Sequence, residues 1–445
     1  MEKATVIITS WNERDALKRC VQEVLEYNEN IQLICIDNGS QDGTHQWLKE
    51  QGVDFIYFDE GVQEYGKVLN VVFENFEVEE NIILLLPRYQ IGKHAIHRMI
   101  QALQEDEKAG VVGLCAADLP YEQNLDLKTV DQLEQIEEER KEERNYIAVG
   151  SAGFCFAMKK SFIEKNGSFE SSLASMDGVM IDYQLRAVQN GYRNKICRSA
   201  CAYDWGERRE QEKILLALKV CDKNVLKQKW KMNYFMMSAN DRFVNMIERS
   251  CGDEFSVLEV GCDMGANLLG IKNHFPNSRV YGLEINPYSS EIGENILKIR
   301  QGNIEEENVS FGEKFDYIIF GDVLEHLHNP QRTIQYCRTL LKENGRILAS
   351  IPNIMHISVM QQLLRGEFCY TDMGLLDRTH IHFFTQKEIV KMFGSEKYEI
   401  EALSGIVYPL TEEEEKLKKK LLEISTDVSE DMYEIYQYTV VARKI

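Results

Sequence analysis

Along the first ninety residues the apolar positions switch between a period of two and a period near four. Thr5–Thr9 is a short β-branched run and reads as a strand. Asp15–Tyr27 places Leu17, Cys20, Val21, Val24 and Leu25 on one helical face. Gln32–Asp37 returns to strand and is ended by Asn38-Gly39. Phe55–Phe58 and Ile82–Leu86 are further strands, with a helix between them from about Tyr65. This rhythm predicts a parallel sheet with helices on its faces. Asp131–Arg144 is a mixed-charge run, predicted to be a solvated helix or mobile loop without chemistry. Glu207–Ile247 carries helical patches without turn punctuation and reads as a helical connector. A second series starts at Phe255, with strands at Ser256–Glu259, Val280–Glu284, Tyr317–Phe320 and Arg346–Ser350. Two late strands, Tyr398–Val407 and Glu434–Ala442, flank a charged helix, Thr411–Leu422.

Length and charge sharpen this picture. A chain of 445 residues exceeds one compact core. The expected division is residues 1–206, a linker at 207–247, and residues 248–445. The net charge of -21 repels polyanions, which argues against a nucleic-acid partner. No apolar run is long enough to span a bilayer, and Met1–Ser10 reads as a strand rather than a signal peptide. The 11 cysteines are scattered and form no C-x-x-C pair, as expected of reduced thiols in a cytoplasmic protein.

Val257-Leu-Glu-Val-Gly-Cys-Asp-Met-Gly265 reads as strand, glycine turn and helix. Glycines there let the backbone approach a ligand, and the next helix offers free N–H groups. Glu284 ends the following strand, where a carboxylate can take both hydroxyls of a ribose. Asn303-Ile304 closes a third element. Phe315–Asp322 is a fourth strand ending in an acidic residue, followed by Val-Leu-Glu-His-Leu. Together these resemble class I S-adenosylmethionine-dependent methyltransferases, over essentially all of residues 250–445. The resemblance implies a Rossmann-like fold with a seven-stranded sheet. It implies a cofactor site in which Glu259, Gly261 and Gly265 line the methionine part, with Asp263 beside them narrowing the pocket or facing the cofactor's cation. Glu284 would hold the ribose, with Ile285 also in the cofactor site, Asn303 and Ile304 would hold the adenine, and Asp322 would close the site near the sulfonium. Asp263 stands where the family has a glycine. A dinucleotide-binding domain is the competing reading, but Asp263 and Ala266 break G-x-G-x-x-G.

Methyl transfer to a hydroxyl needs a base beside an aligned acceptor. His326 and His380 are the candidates. His380 lies in Gly374–Thr385, which resembles a segment of methyltransferases associated with polysaccharide and glycan synthesis. On that likeness Phe368, Tyr370, Asp377 and Arg378 belong to the acceptor wall. The pairs His326/His328 and His380/His382 lack a carboxylate framework at ligand spacing, so no metal is expected.

In the first half, Val6–Asn12, Ile36–Thr44, Gly66–Asn70, Gly150–Lys159 and Asp182-Tyr-Gln-Leu-Arg186 with Gly191-Tyr192 resemble family 2 glycosyltransferases. The resemblance implies the GT-A nucleotide-diphospho-sugar transferase fold over residues 1–206, with Asp37 and Asn38 in a nucleotide pocket. Three departures stand out. Pro87-Arg88-Tyr89 replaces the metal-binding Asp-x-Asp motif. Val179 and Met180 replace the acidic pair that supplies the base. Asp204 replaces a late metal-site histidine. Arg88 or Lys93 is left as the candidate for a diphosphate. The connector segment Asp222–Trp230 resembles the lysine-tryptophan stretch of other glycosyltransferase–methyltransferase fusions.

The resulting expectation is a two-domain α/β enzyme that methylates a sugar or sugar-linked group. The first half recognises a glycan, a nucleotide-sugar or a glycosylated acceptor, alone, as a homo-oligomer, or with other glycan-modifying enzymes. A bifunctional glycosyltransferase–methyltransferase and a non-catalytic scaffold are the alternatives. Small-molecule methylation, as in quinone synthesis, is weaker because of the fused sugar-handling half.

Overall fold

The structure is a computed structural model that describes residues 3–62, 64–117, 119–120, 123–205 and 212–445. The chain divides into two compact units. One comprises Met1–Asp241 with Asp263–Asn273 and Glu291–Ile296. The other comprises Arg242–Cys262, His274–Ser290 and Leu297–Ile445.

The first unit is built on strands β1 (Ala4–Ser10), β2 (Ile31–Asp37), β3 (Asp54–Tyr57), β4 (Asn81–Leu85), β5 (Tyr89–Ile91), β6 (Ala109–Ala116), β7 (Tyr146–Ala148), β8 (Cys155–Lys159) and β9 (Arg193–Asp204). Their order is β3-β2-β1-β4-β8-β6-β9-β5, with β7 beside β9. β3, β2, β1 and β4 run parallel, whereas β8 pairs antiparallel to β4 and to β6. All residues of β1 and of β4 are buried, as expected for central strands covered on both faces. The helix Arg14–Tyr27 buries Leu17, Cys20, Val21 and Val24 on the sheet. Leu25, expected on the same face, is instead exposed. It lies about 100° around the helix from Val24, beyond the apolar stripe.

Two segments differ from expectation. Within Asp131–Arg144, the helix Leu133–Glu139 buries Leu133 and Glu137. Glu137 accepts from the His94 amide at 3.2 Å and lies 4.0 Å from Arg98, filling the space that a side chain at Gly92 would need. The run is therefore anchored rather than fully solvated. The connector is helical over Glu212–Trp230 and Asp241–Met246, but residues 231–240 between them are not. Its first residues, 207–211, lie outside the described residues.

The second unit carries β10 (Ser256–Val260), β11 (Arg279–Glu284), β12 (Lys298–Gln301), β13 (Phe315–Gly321), β14 (Leu341–Pro352), β15 (Tyr398–Val407) and β16 (Ile435–Lys444). They form the expected seven-stranded sheet, in the order β12-β11-β10-β13-β14-β16-β15. β12 to β14 are parallel, and β16 runs antiparallel between β14 and β15. The helix Glu412–Ile424 between the last two strands starts at a capping box. Thr411 Oγ1 accepts from the Glu414 amide, and Glu414 Oε2 accepts from the Thr411 amide at 2.9 Å. Among the described residues no helix is long and apolar enough to cross a membrane.

Candidate active site

The parallel register brings the carboxyl ends of β10, β11, β12 and β13 to one edge of the sheet, where open α/β sheets hold ligands. β10 ends in a turn with positive φ at Gly261 (69°), Asp263 (49°) and Gly265 (89°). At Gly261 the backbone tolerates no side chain. A Cβ there would lie 2.6 Å from Val323 Cγ2, and the Gly261 amide is held by the Leu283 carbonyl at 2.8 Å. Asp263 adopts the left-handed conformation that its missing glycine would have supplied, which Asp tolerates better than most residues. Its Oδ2 accepts from the Met236 amide at 3.2 Å.

Glu259 in β10 and Glu284 at the end of β11 are buried. Glu284 Oε1 accepts from the Asn286 amide at 2.7 Å, and its carbonyl accepts from Gly302 at 2.9 Å, which sets Asn303 beside the strand end. Asn303 caps the short turn Ile304–Glu306 by accepting from the Glu305 amide. Ile304 is buried and Ile285 is exposed. Asp322 sits past β13 at φ 56°, and its Oδ1 accepts from Ser350 Oγ and from Gln437 Nε2. This donor set fits a nucleoside bearing a cationic sulfur. A glycine turn leaves room for the chain of the ligand, and carboxylates line one sheet edge for its hydroxyls and its charge.

Beyond β13 the turn Leu324–His326 carries a residue that the sequence reading did not single out. Glu325 is only 1% exposed, and neither carboxylate oxygen has a hydrogen-bond partner among the described residues. Its backbone carbonyl accepts from the amides of Ile381 and His382, each at 3.0 Å, and this ties the segment of His380 onto the turn. His380 Nε2 lies 3.9 Å from Glu325 Oε1, and the rings of His326 and His380 stand 4.8 Å apart. Ligand-type atoms of Glu325, His326 and His380 all fall within 4.8 Å of one another. The spacing Asp-Val-Leu-Glu-His was the only sequence signal for Glu325. Its burial depends on the distant segment 375–382.

Both histidines are held by their Nδ1 atoms. His326 Nδ1 meets the Thr379 carbonyl at 3.1 Å, and His380 Nδ1 meets the Leu375 carbonyl at 3.2 Å. A carbonyl oxygen can only accept, so each Nδ1 carries a proton, and the neutral tautomer of each ring is the one with its lone pair on Nε2. Burial pushes the Glu325 carboxyl well above its usual range, helped by the negative charges of Asp322 and Asp377. Burial, and then the neighbouring His326, lower the His380 imidazole. Both groups are driven toward their neutral forms.

The acceptor-wall residues separate. Tyr370 is exposed and packs edge-on against Phe368, whose ring meets Phe383, and Phe383 in turn meets His380. An aromatic path thus leads from the surface to the histidines. Asp377 is buried and accepts from the amide and hydroxyl of Thr379 at 2.8 and 2.6 Å, so it positions the residue that holds His326. Arg378 is exposed and pairs with Asp372. His328 is drawn off to Glu305 and His382 to the His328 carbonyl.

In the first unit, Asp37 is fully buried at the end of β2 and accepts from the Ser40 amide at 3.0 Å. The Asn38 side chain is spent on the backbone of Val62, giving 2.8 Å and receiving 2.7 Å. Arg88 pairs with Asp204 through Nε to Oδ1 at 2.8 Å and Nη2 to Oδ2. Val179 and Met180 are buried in the helix Met176–Gln189, where a carboxylate would face the core. Asp182 is also buried, and it accepts from Arg186 Nε at 3.0 Å, Trp230 Nε1 at 3.0 Å and Lys229 Nζ at 2.9 Å.

The family model for the glycosyl transferase family 2 domain matches residues 5–167, and that for the methyltransferase domain matches residues 230–403. The chain carries a family 2 glycosyltransferase domain and an S-adenosylmethionine-dependent methyltransferase domain. Among curated relatives, a mitochondrial ubiquinone biosynthesis O-methyltransferase of Dictyostelium discoideum is 27% identical over 173 residues, 35% of this chain and 54% of that protein. A ubiquinone biosynthesis O-methyltransferase of Glaesserella parasuis is 31% identical over 100 residues, 22% of this chain and 42% of that protein. The methyltransferase domain thus spans about half the length of these relatives. A mannosyltransferase of Pyrobaculum calidifontis, solved with GDP-mannose and Mn2+, aligns with 52% of this chain and 64% of its own at 14% identity and a TM-score of 0.37.

Proposed function

We propose that the chain transfers the methyl group of S-adenosylmethionine to a hydroxyl of a sugar or sugar-linked group. The glycosyltransferase domain recognises the glycan, the nucleotide-sugar or the glycosylated acceptor without transferring sugar. The carrying observation is the meeting of Glu325, His326 and His380 beside Asp322, at the sheet edge where Glu284 and the Gly261 turn also lie. The relatives' names specify an oxygen acceptor. The attached sugar-handling domain supports a sugar acceptor.

In this reading Glu259, Gly261, Asp263 and Gly265 bound the methionine part of the cofactor. Glu284 and Ile285 flank the ribose, Asn303 and Ile304 the adenine, and Asp322 lies toward the sulfonium. The cofactor supplies an already activated methyl group, so the protein mainly aligns the acceptor oxygen in line and excludes water. The lone pairs on His326 and His380 lower the cost of removing the hydroxyl proton. Phe368 and Tyr370 offer ring faces to the acceptor, with Arg378 at the rim. In the glycosyltransferase domain, the Arg88–Asp204 pair and the buried Val179 and Met180 occupy positions that sugar transfer would need. Its nucleotide pocket would comprise Asp37, Asn38 and Arg88. The functional division is residues 1–206, 207–247 and 248–445. Eleven free cysteines suit a reducing, cytoplasmic setting, where the chain would work alone, as a homo-oligomer or with other glycan-modifying enzymes.

A thermal-shift titration with S-adenosylmethionine and UDP-, GDP- and CDP-sugars, with and without Mn2+, tests this reading. A ligand at about 100 times its Kd stabilises the fold by about 2.7 kcal/mol. The cofactor should raise the melt. Sugar transfer or Mn2+-dependent nucleotide-sugar hydrolysis would overturn the recognition role.

A further inference from the structure

A carboxyl group at 1% exposure with neither oxygen hydrogen-bonded is costly whether neutral or charged, and a bound cation would partner those oxygens directly. Around Glu325 the surroundings are those of a ligand set. Two imidazoles face it, each fixed by an Nδ1–H to a backbone carbonyl, which is the outer-shell contact that orients metal-binding histidines. Glu325 Oε1 and His380 Nε2, at 3.9 Å, are too far apart to hydrogen-bond to each other. Ligands on a tetrahedral ion with bonds of about 2.0–2.1 Å stand about 3.4 Å apart. A contraction of about 1.4 Å from the observed 4.8 Å envelope would close the set. His326 is only partly buried, and Asp322 next to it is exposed, so the cluster opens to solvent on that side.

We propose that Glu325, His326 and His380 bind one divalent first-row cation and leave one coordination position open for the acceptor hydroxyl. Two imidazoles and one carboxylate suit Zn2+ and its neighbours better than Mg2+ or Ca2+, which prefer all-oxygen shells. The ion deepens the methyl-transfer reading and rests on it for the acceptor's role, but not for cation binding itself. The cation makes the hydroxyl more acidic, as it does bound water. The hydroxyl proton leaves to bulk water. The acceptor oxygen then forms the new C–O bond as the methyl–sulfur bond breaks, and the sulfur keeps that electron pair as a neutral thioether. With the ion bound the two histidines act on the acceptor through it, and without it their lone pairs remain the nearest proton acceptors. The short turn past β13 and the segment 375–382 are held together by the ion as well as by the Glu325 carbonyl.

The test uses full-length protein stripped with chelator and titrated with Co2+ and Zn2+ by calorimetry and visible absorption, with S-adenosylmethionine binding measured on the same stripped sample. One equivalent of Co2+ with the intense visible bands of a four- or five-coordinate site, displaced by Zn2+, is the expected result. Glu325→Gln and His380→Gln should each weaken Co2+ binding by about tenfold or more. Binding in the wild type that is absent, substoichiometric or unchanged in both variants overturns the cation site. The wild-type titration decides this even if a variant does not fold. Cofactor binding without cation binding removes this inference and leaves the methyl-transfer reading standing. Cation binding without cofactor binding removes that reading and keeps the ion.

Discussion

Arg88 and Asp204 face each other as a two-point ion pair, with Nε 2.8 Å from Oδ1, at two positions that depart from the glycosyltransferase pattern. The Asp-x-Asp motif of that family would place carboxylates at the end of β4, and a histidine would complete the metal site from the end of β9. Here a guanidinium and a carboxylate have taken those places and neutralise each other. Arg88→Met should cost about 1–3 kcal/mol, because the Asp204 carboxylate, largely enclosed, loses its guanidinium. The double variant Arg88→Met/Asp204→Asn should recover about half of that in a double-mutant cycle. Denaturant melts measure both, and strictly additive losses would show that the pair contributes nothing.

Glu284 ends β11 with its carboxylate already oriented by the Asn286 amide, which makes it the residue to probe for ribose binding. Glu284→Ala should weaken S-adenosylmethionine binding by about 10- to 100-fold, the worth of charge-assisted hydrogen bonds to two hydroxyls. The melting temperature without cofactor should stay within a few degrees. Unchanged affinity by calorimetry would remove Glu284 from the cofactor site.

His326 and His380 differ in setting, one partly exposed and one buried, so their variants should separate. On the glycan acceptor identified by screening, His326→Ala and His380→Ala should each lower kcat by about 10²- to 10⁴-fold at saturating cofactor, with cofactor Kd unchanged. Normal turnover in both would place the proton acceptor elsewhere.

Gly261 is fixed by two independent constraints, a φ of 69° and a would-be Cβ contact of 2.6 Å with Val323. Gly261→Ala should cost about 1–3 kcal/mol from backbone strain and crowding. It should weaken cofactor binding further by shifting the turn. A full-affinity, full-stability variant would show that the turn is not formed as described.

Much of this was legible in the sequence because it is written in local periodicity. The runs from Thr5, Gln32, Ser256, Val280 and Tyr398 became strands within a residue or two of their expected limits, and the seventh strand of the second sheet appeared as β12. The glycine turn and the acidic strand end at Glu284 are also local, since strand and turn chemistry fix where those residues stand. What escaped depends on long-range packing. Glu137 is buried only because Gly92, far away in the chain, leaves space for its carboxylate. The Glu325 carbonyl finds its partners, and its carboxyl group the nearby His380, more than fifty positions on. Arg88 read alone is a loop cation, and only the pairing of β5 with β9 shows that Asp204 answers it.

The connector gives the last prediction. Asp222 on the helix Glu212–Trp230 accepts from the Ala174 amide, the Ser175 amide and Ser175 Oγ at 2.8, 2.7 and 2.6 Å, and Lys229 bridges Glu170 and Asp182. The hydrogen bond from Lys229 holds the Glu170 carboxyl down to about 2, against an ordinary 4.5. A carboxyl lowered on folding stabilises the fold above its unfolded value, and that contribution is lost as pH falls from about 4.5 to about 2. Both partners are about one-third exposed, so screening limits the pair to about 0.5–1 kcal/mol. Trp230 is 9% exposed with its indole N–H on Asp182, so its fluorescence reports whether the helix stays seated. In a variant whose other tryptophans are replaced by phenylalanine, emission should shift to the red as pH falls through that window. Glu170→Gln should shift at neutral pH by at most a small amount and should lose most of the acid dependence. An identical acid profile in Glu170→Gln would mean that a different carboxylate seats the helix.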